Sequence, residues 1–197
     1  MKPKSPVKWV GGKRRLIPQF EPLFPKKSWD FYIEPFVGGG AVFFHLLPSR
    51  AVLIDKNEEL MNFYRVVRDN LEELLIDLHK HKNTPEYYYG IRTLNPQELT
   101  TIERASRFLY LNKTGYSGIW RVNRKGQYNV SFGWYKKVKI VDENNLRLVS
   151  KALANTQIIC GDFSLVLDYA SPGTFIYFDP PYYPMHEGGF TSYTEDG

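Results

Sequence analysis

The sequence predicts an α/β fold built around a parallel sheet. Strand-like and helix-like segments alternate over the first 80 residues, and the alternation resumes near residue 157 after a long intervening stretch. The chain has 197 residues, of which 43% are hydrophobic. A domain usually has about 100–200 residues. We therefore expect one domain, or one domain with a small insert.

The first predicted strand leads into a glycine-rich loop. Residues 31–33 are β-prone, and three glycines follow at 38–40. An apolar stretch at 41–47 comes next and ends at Pro48. This order indicates a strand, a loop and a helix.

A second strand and helix follow. Residues 51–54 indicate a buried strand that ends at Asp55, and Asn57 is placed to cap a helix. Apolar residues then recur at helical spacing, at Leu60, Tyr64, Val67, Leu71, Leu74 and Leu78. We expect one helix over this stretch, so that the first 80 residues form a βαβα unit.

The remaining elements surround a segment interrupted by glycines. Helices are predicted at 85–93, 101–112 and 142–155, and strands at 157–160 and 174–178. Between them, Gly115, Gly118, Gly126 and Gly133 interrupt a basic, aromatic loop or hairpin. This segment is a plausible insert in the parallel-sheet domain.

Positive charge is concentrated in the middle of the chain. Of the 26 Lys and Arg residues, nine lie between Arg104 and Lys139, where there is no Asp or Glu and eight aromatic rings are interleaved. Cations suit phosphates and flat rings suit bases, so this composition is typical of nucleic-acid binding. A solvated basic face whose aromatic residues belong to the core is the alternative.

Several classes of protein are disfavoured. No apolar run reaches the roughly 18–20 residues of a membrane span, and no signal peptide follows Met1, so we expect a cytoplasmic protein without a membrane partner. The single cysteine, Cys160, cannot form an intramolecular disulfide or a thiolate metal cluster, and no metal site is predicted. Phe43 interrupts the dinucleotide-binding glycine pattern, and Val7 and Arg14 interrupt a phosphate loop, which disfavours nicotinamide enzymes and nucleotide triphosphatases.

Glycines at 38–40 would let the backbone approach a ligand closely. Asp55, at the end of the next strand, could then accept hydrogen bonds from ribose hydroxyls. A tight strand–helix connection followed by a helix-capping acid is the alternative.

The sharpest local signal is DPPY at 179–182, at the end of a hydrophobic strand. Its two prolines stiffen the turn and fix the Asp179 carboxylate, the Pro180 carbonyl and the Tyr182 ring at the edge of the sheet. Two acceptors on the protons of a nucleobase amine would restore electron density to its nitrogen, while Tyr182 could stack on the base. A strand-ending turn with a surface acid is the alternative.

Together these motifs resemble the Dam-type (D12 class) DNA adenine-N6 methyltransferases in both content and order. The resemblance rests on KWVGGK at 8–13, EPFVGGG at 34–40, Asp55, LNKTGYSGIWRVN at 111–123, NVSFG at 129–133, DPPY at 179–182 and FTSY at 190–193. It implies a Rossmann-like, S-adenosylmethionine-dependent methyltransferase domain interrupted by a mainly helical target-recognition insert.

The resemblance also implies domain boundaries. Residues 1–57 and 155–197 would form the catalytic and cofactor-binding domain. Residues 58–154 would form the insert, with a basic aromatic hairpin at 112–135. Only four strands can be counted, near residues 31, 51, 157 and 175, so we expect C-terminal strands of the class to be missing.

Roles for single residues follow from the same resemblance. Cofactor binding would involve Trp9, Lys13, Phe36, Gly38, Asp55, Asp162 and Asp179. Asp179 and the Pro180 carbonyl would accept hydrogen bonds from the target amine, and Tyr182 would stack on the flipped-out adenine. Contacts to double-stranded DNA would come from Lys113, Tyr116, Ser117 and Arg121. Arg121 would read a guanine of a GATC site.

The implied function is site-specific methylation of adenine N6 in duplex DNA by a bacterial or phage enzyme, for which a cognate restriction endonuclease would be an optional partner. Lys113, Ser117 and Ser131 stand where relatives often have Arg, Asn and Pro, so GATC is an expectation. An inactive DNA-binding fragment is the main alternative. A methyltransferase acting on RNA or on a protein amide would share the Pro-Pro-Tyr logic, although such enzymes more often begin the motif with Asn.

Overall fold

The computed structural model describes residues 1–26 and 29–181. Within them, four strands form one parallel sheet in the order β3-β2-β1-β4. The strands are β1 Phe31–Glu34, β2 Ala51–Asp55, β3 Thr156–Cys160 and β4 Thr174–Ile176. The predicted α/β fold with a parallel sheet is therefore confirmed.

Strand β4 is shorter than the predicted strand at 174–178. It pairs with β1 from Phe31↔Thr174 to Ile33↔Ile176. One more hydrogen bond joins Tyr177 N to Ile33 O at 2.9 Å. Pairing stops there because β1 turns into its loop at Pro35, which has no backbone N–H.

Seven helices are present in the described part of the chain. They are α1 Ile17–Phe20, α2 Ala41–Leu46, α3 Glu58–Asp69, α4 Leu71–Leu78, α5 Pro85–Thr93, α6 Thr101–Thr114 and α7 Glu143–Leu153. Short 3-10 segments lie at Lys13–Arg15, Glu21–Leu23, Pro96–Glu98, Tyr116–Gly118 and Phe163–Asp168. None of the described helices is long and apolar enough to cross a membrane.

The predicted cap of α3 is confirmed, but the prediction of one helix to residue 78 is wrong. Asn57 accepts a hydrogen bond from Leu60 N at 3.0 Å. Asn70 leaves the helical region, with φ −135° and ψ 44°, and separates α3 from α4. Asn favours such breaks because its side chain competes for backbone groups. The apolar spacing continues across the break, since both helices bury their apolar faces, and so the spacing does not reveal it.

The two faces of the sheet are covered differently. Tyr32 and Leu53 belong to the large core that the sheet shares with the helices. Ile33, Val52 and Ile54 point to the opposite face, where they pack with Val166 of the 163–168 segment. This alternation, expected of a strand, buries β1 and β2 on both faces and makes them the rigid centre of the molecule.

The same large core takes in most rings of the basic segment. Phe108, Tyr110, Trp120, Tyr128 and Phe132 are buried in it. Tyr116 and Trp134 are exposed. The alternative, that these aromatic residues belong to the core, therefore holds for five of the eight rings.

The strand order indicates where a ligand would bind. β1 has β2 on one side and β4 on the other, so the chain switches direction across the sheet between β1 and β4. Open α/β proteins bind ligands at the carboxyl ends of the strands at such a point. Here the glycine loop follows β1, and Asp179 and Pro180 follow β4.

Candidate active site and nucleic-acid interface

Close packing shapes the glycine loop after β1. Gly38 and Gly40 have φ values of +45° and +65°, which favour glycine. A Cβ on Gly38 would lie 2.6 Å from Cδ1 of Trp9, and one on Gly40 would lie 2.8 Å from Cε2 of Phe44. The loop backbone is thus pressed against the Trp9 ring, which places this predicted cofactor residue beside Gly38.

Asp55 holds the same loop from the end of β2. Its Oδ2 accepts a hydrogen bond from Gly38 N at 3.0 Å, and its Oδ1 accepts one from Asn57 N at 2.9 Å. Burial raises the pKa of Asp55, and these two hydrogen bonds oppose the shift. Each oxygen of an ionised carboxylate can accept a second hydrogen bond, so the group remains able to bind hydroxyls.

Glu34, at the end of β1, is a buried carboxyl group to which the sequence analysis gave no role. Its Oε2 accepts hydrogen bonds from the Tyr32 hydroxyl at 2.8 Å and from Phe43 N at 3.2 Å. The N-cap residue of α2, Gly40, has no side chain to accept a hydrogen bond, so Glu34 on β1 accepts from one of the unpaired N–H groups at the start of α2. Burial raises the pKa of Glu34 to about 8, although both hydrogen bonds lower it. The sequence did contain a signal for this role, because Glu34 is an acid at the end of a strand whose other residues are apolar or aromatic.

One cleft of about 1160 Å³ lies at the carboxyl ends of the strands. Seven of the predicted catalytic and cofactor residues line it: Trp9, Lys13, Phe36, Gly38, Asp55, Asp179 and Pro180. Lys113, predicted to contact DNA, also lies in its wall. Tyr182 and residues 190–193 lie outside the described residues.

Asp179 forms an ion pair inside this cleft. Lys13 Nζ lies 2.6 Å from its Oδ2 and donates a second hydrogen bond to Gly11 O at 2.9 Å. Only 8% of Lys13 is exposed. The glycine turn at 11–12 and the end of β4 are therefore linked through one buried ammonium group.

An aromatic rim flanks the cleft. The Phe36 and Phe163 rings stack with centroids 5.4 Å apart and an interplanar angle of 25°. Phe178 lies 6.4 Å from Phe36. Phe163 and Phe178 are each about half exposed. Flat apolar faces of this kind suit a heterocyclic ring.

Asp162 stands next to this rim, although it does not line the cleft. It accepts a hydrogen bond from Ser164 N at 3.0 Å and pairs with Lys56 Nζ at 3.2 Å. These interactions lower the pKa of its carboxyl group. The structure thus places Asp162 at the edge of the site, while its neighbours Gly161 and Phe163 are in the cleft wall.

The other predicted DNA contacts lie on a turn after α6. Tyr116 N donates to Ser131 O at 2.8 Å, which pairs this turn with the segment around residue 132. Tyr116 is 61% exposed. Ser117 is exposed and has a φ of +54°. Arg121 is exposed, and its Nε donates to Asn129 Oδ1 at 2.8 Å, which orients the guanidinium group.

Two of the nine cations of the basic segment serve the fold, and a third, Lys113, is partly buried. Arg104 pairs with Glu58 and Glu59, and Arg107 is buried and donates to backbone carbonyls. Burial, with Lys8 nearby, lowers the pKa of Lys113 to about 8. The exposed cations are Arg121, Arg124, Lys125, Lys136, Lys137 and Lys139. Charge counting alone therefore overstates the basic surface, because composition does not separate buried from exposed arginines.

A buried amide connects the cleft to the turn. Asn112 accepts from Lys8 N at 2.8 Å, and donates to Lys8 O at 2.7 Å and to Gly118 O at 3.1 Å. Lys8 Nζ lies 4.3 Å from the centre of the Tyr135 ring, whose hydroxyl accepts from Ser117 N at 2.9 Å. The wall that carries Trp9 and the turn that carries Ser117 therefore form one connected unit.

Comparison with known proteins decides the family. A model of the D12 class N6 adenine-specific DNA methyltransferases matches residues 9–197. This chain belongs to that family. The resemblance seen in the motifs is confirmed, and with it the class of enzyme.

Several named methyltransferases resemble the chain over almost its whole length. The Type II methyltransferase M1.LlaDCHI of Lactococcus lactis is 43% identical over 97% of this chain and 70% of its own length. The Type II methyltransferase M.MjaIII of Methanocaldococcus jannaschii is 41% identical over 99% of this chain and 75% of its own length. A DNA adenine methylase of Haemophilus influenzae is 37% identical over 95% and 67%.

Proposed function

We propose that this D12 class enzyme transfers the methyl group of S-adenosylmethionine to N6 of a flipped-out adenine within GATC in duplex DNA. One observation carries the proposal. Asp179 and Pro180, at the end of β4, share a single cleft with the glycine loop and with Asp55, at the switch point of the sheet.

The residues of the cleft fit the cofactor. Asp55 keeps acceptor capacity for ribose hydroxyls, and the loop at Gly38 presents backbone without a side chain. The Phe36 and Phe163 rings offer a flat surface for adenine, with Asp162 beside them. When bound, S-adenosylmethionine supplies an electrophilic methyl group.

Asp179 and Pro180 would receive the target base. The Asp179 carboxylate and the Pro180 carbonyl accept hydrogen bonds from the two protons of the adenine amine, which restores electron density to a nitrogen delocalised into the ring. Lys13 holds the carboxylate in place. Rate acceleration then comes from positioning the nitrogen for in-line attack, and no covalent enzyme intermediate is needed.

The position of this pair supports base flipping as part of the proposal. Asp179 is 22% exposed at its side chain and lies in the cleft wall, where a stacked and paired base cannot place its amine. Tyr182 would then stack on the extruded adenine, a role that stays a prediction.

The turn after α6 supports duplex DNA as the substrate. Arg121 is exposed and oriented by Asn129, as a bidentate contact to guanine requires. Tyr116 and Ser117 project from the same turn. The relatives are named as methyltransferases and DNA adenine methylases, which does not favour an inactive fragment. A cognate restriction endonuclease stays a prediction.

Transfer of labelled methyl from S-adenosylmethionine tests the proposal. Two duplexes that differ only in GATC and GTAC are incubated with the wild type and with Asp179→Ala, and cofactor binding of the variant is measured in parallel. We expect label on adenine of the GATC duplex alone, and none with Asp179→Ala. Label on both duplexes would keep the reaction but contradict GATC. No label on a duplex that the wild type binds would support the inactive fragment.

A further inference from the structure

Trp134 combines high exposure with an unfavourable backbone conformation. Its side chain is 72% exposed, and no aromatic side chain in residues 1–26 and 29–181 is more exposed. Its φ is +54°, which is rare for a bulky residue. Such strain persists only where the surroundings enforce it, and it is concentrated at functional sites.

The neighbours on both sides of Trp134 enforce this conformation. Gly133 N donates to Thr114 O at 2.8 Å, and a Cβ on Gly133 would lie 2.3 Å from the Tyr135 ring. Tyr135 is in turn fixed by its hydrogen bond from Ser117 N and by Lys8 over its ring. With residues 133 and 135 held against the turn, the Trp134 indole is largely in solvent. It makes a T-shaped contact with Phe132, with ring centroids 5.3 Å apart and an interplanar angle of 74°.

The surroundings of Trp134 have the chemistry of a DNA surface. Lys136 and Lys137 lie two and three residues after it and are exposed. Tyr116, a second exposed ring, lies on the segment paired with residues 131–133. Exposed rings among exposed cations match the flat bases and charged backbone of nucleic acid better than any apolar partner.

We infer that Trp134 is a DNA-contacting residue of this enzyme, whose indole stacks on a base left unstacked when the target adenine leaves the helix. The inference rests on the proposed function. Trp134 would stack on a base, whereas Arg121 would form hydrogen bonds to a guanine. Trp134 positions the DNA and is not a catalytic residue.

Affinity for the GATC duplex in the presence of S-adenosylhomocysteine tests the contact. We expect Trp134→Ala to raise Kd about 5- to 150-fold, the range for loss of one stacked base, and Trp134→Phe to restore most of the affinity. Trp134→Leu should not restore it, because an aliphatic side chain cannot stack. Leu167→Ala is the matched control, since Leu167 is 78% exposed in the 163–168 segment, and its Kd should be that of the wild type.

Salt dependence separates stacking from charge. The slope of log Kd against log salt should stay unchanged in Trp134→Ala, whereas Lys137→Ala should reduce it by about one phosphate contact. A reduced slope in Trp134→Ala would overturn the stacking assignment.

Trp134→Gly adds a readout that a purely structural residue would not give. Glycine tolerates a φ of +54°, so the melting temperature should equal or exceed that of the wild type while DNA affinity falls as in Trp134→Ala. Kd values within twofold of the wild type for both variants would overturn the inference, provided that the wild type binds and methylates the duplex. If the wild type does neither, the proposed function itself fails, and this inference fails with it.

Discussion

The loop after β1 and the turn region after α6 both contain left-handed backbone, and they differ in the residues that adopt it. In the loop after β1 the left-handed positions are Gly38 and Gly40, and a side chain at either would collide with Trp9 or Phe44. In the turn region after α6, Gly118 and Gly126 are also left-handed, and a Cβ on Gly118 would lie 2.4 Å from Lys8. This region differs in that Ser117 and Trp134, both exposed, adopt the same conformation. Glycine occupies left-handed positions where the backbone packs closely against other side chains. Residues with side chains carry the strain where those side chains must project.

This difference separates two kinds of site. The glycine loop is shaped by packing and by Asp55, and Glu34 fixes the start of the helix that follows it, so its geometry is set before any ligand arrives. The aromatic turn stores strain of about 1–3 kcal/mol at each of Ser117 and Trp134. We interpret the first as a cofactor cradle and the second as a surface built to meet DNA.

The largest predicted effect is a loss of stability when Asn112, which connects the cleft wall to the turn after α6, is replaced. Asn112→Ala leaves Lys8 N and the carbonyls of Lys8 and Gly118 without their buried partner. We expect a loss of about 2–4 kcal/mol in the free energy of unfolding, measured in urea. Asn129→Ala, which removes one exposed hydrogen bond, is the control and should cost less than about 1 kcal/mol. Equal losses would show that Asn112 does not join the sites.

The next prediction tests the close packing of the glycine loop. Gly38→Ala introduces both a left-handed alanine and a collision with Trp9, whereas Gly173→Ala, with φ +86° and nothing within 4 Å, introduces the strain alone. Strain alone should cost about 1–2 kcal/mol. Gly38→Ala should cost more in urea unfolding and should also weaken cofactor binding. Indistinguishable unfolding curves would contradict a packing-shaped loop.

Raising the pH from about 4.5 to about 8 should destabilise the fold through Glu34. Its pKa is about 8 in the folded protein against 4.5 ordinarily, so between these pH values the folded state keeps a proton that the unfolded state has lost. This contribution is complete below about pH 4.5 and is lost as the pH rises to about 8. Thermal melting from pH 5 to 9 should show a decline that Glu34→Gln removes. A variant that declines as steeply as the wild type would locate the effect elsewhere.

Acid should destabilise the region around α6 through His81, which packs against that helix. His81 stacks on Tyr110 at 4.3 Å and contacts the hydroxyls of Tyr87 and Ser106. Burial lowers its pKa to about 4 from 6.5, so its contribution is complete above about pH 6.5 and is lost as the pH falls through 4. Acid unfolding followed by circular dichroism should be less steep in His81→Phe, which keeps the stacking. An unchanged slope would exclude His81 as the acid-sensitive group.

The smallest predicted effect concerns strain in the aromatic turn. Ser117→Gly relieves a left-handed conformation at an exposed position, offset by the greater freedom of glycine in the unfolded chain. We expect the free energy of unfolding to rise by up to about 1 kcal/mol in urea titrations. A clear loss would mean that the Ser117 side chain supports the fold.

Local signals carried most of the correct predictions. The strands at 31–34 and 51–55, the Asn57 cap and the glycine loop depend on neighbours in sequence, and they were predictable for that reason. The glycine loop, Asp55 and Asp179 could be brought together because the carboxyl ends of parallel strands share one edge of a sheet. Trp9, Lys13 and Phe36 were predicted from the family resemblance alone.

Tertiary contacts explain what was not predictable. The burial of Arg107 depends on carbonyls of α5, and the role of Glu34 depends on the N-terminus of α2. The φ of Trp134 depends on Tyr135 being held by Ser117, which no local pattern encodes. The end of α3 at Asn70 was hidden because the apolar spacing runs through it.

Hydrogen exchange tests the central claim, that the two turns serve different ligands, most directly. Backbone amide exchange of the wild type is measured alone, with S-adenosylmethionine, and with a GATC duplex plus S-adenosylhomocysteine. The account predicts that the cofactor slows exchange at residues 36–41 and around Asp179, and that DNA adds protection at residues 115–135. Protection of 115–135 by the cofactor alone, or no protection there by DNA, would contradict it.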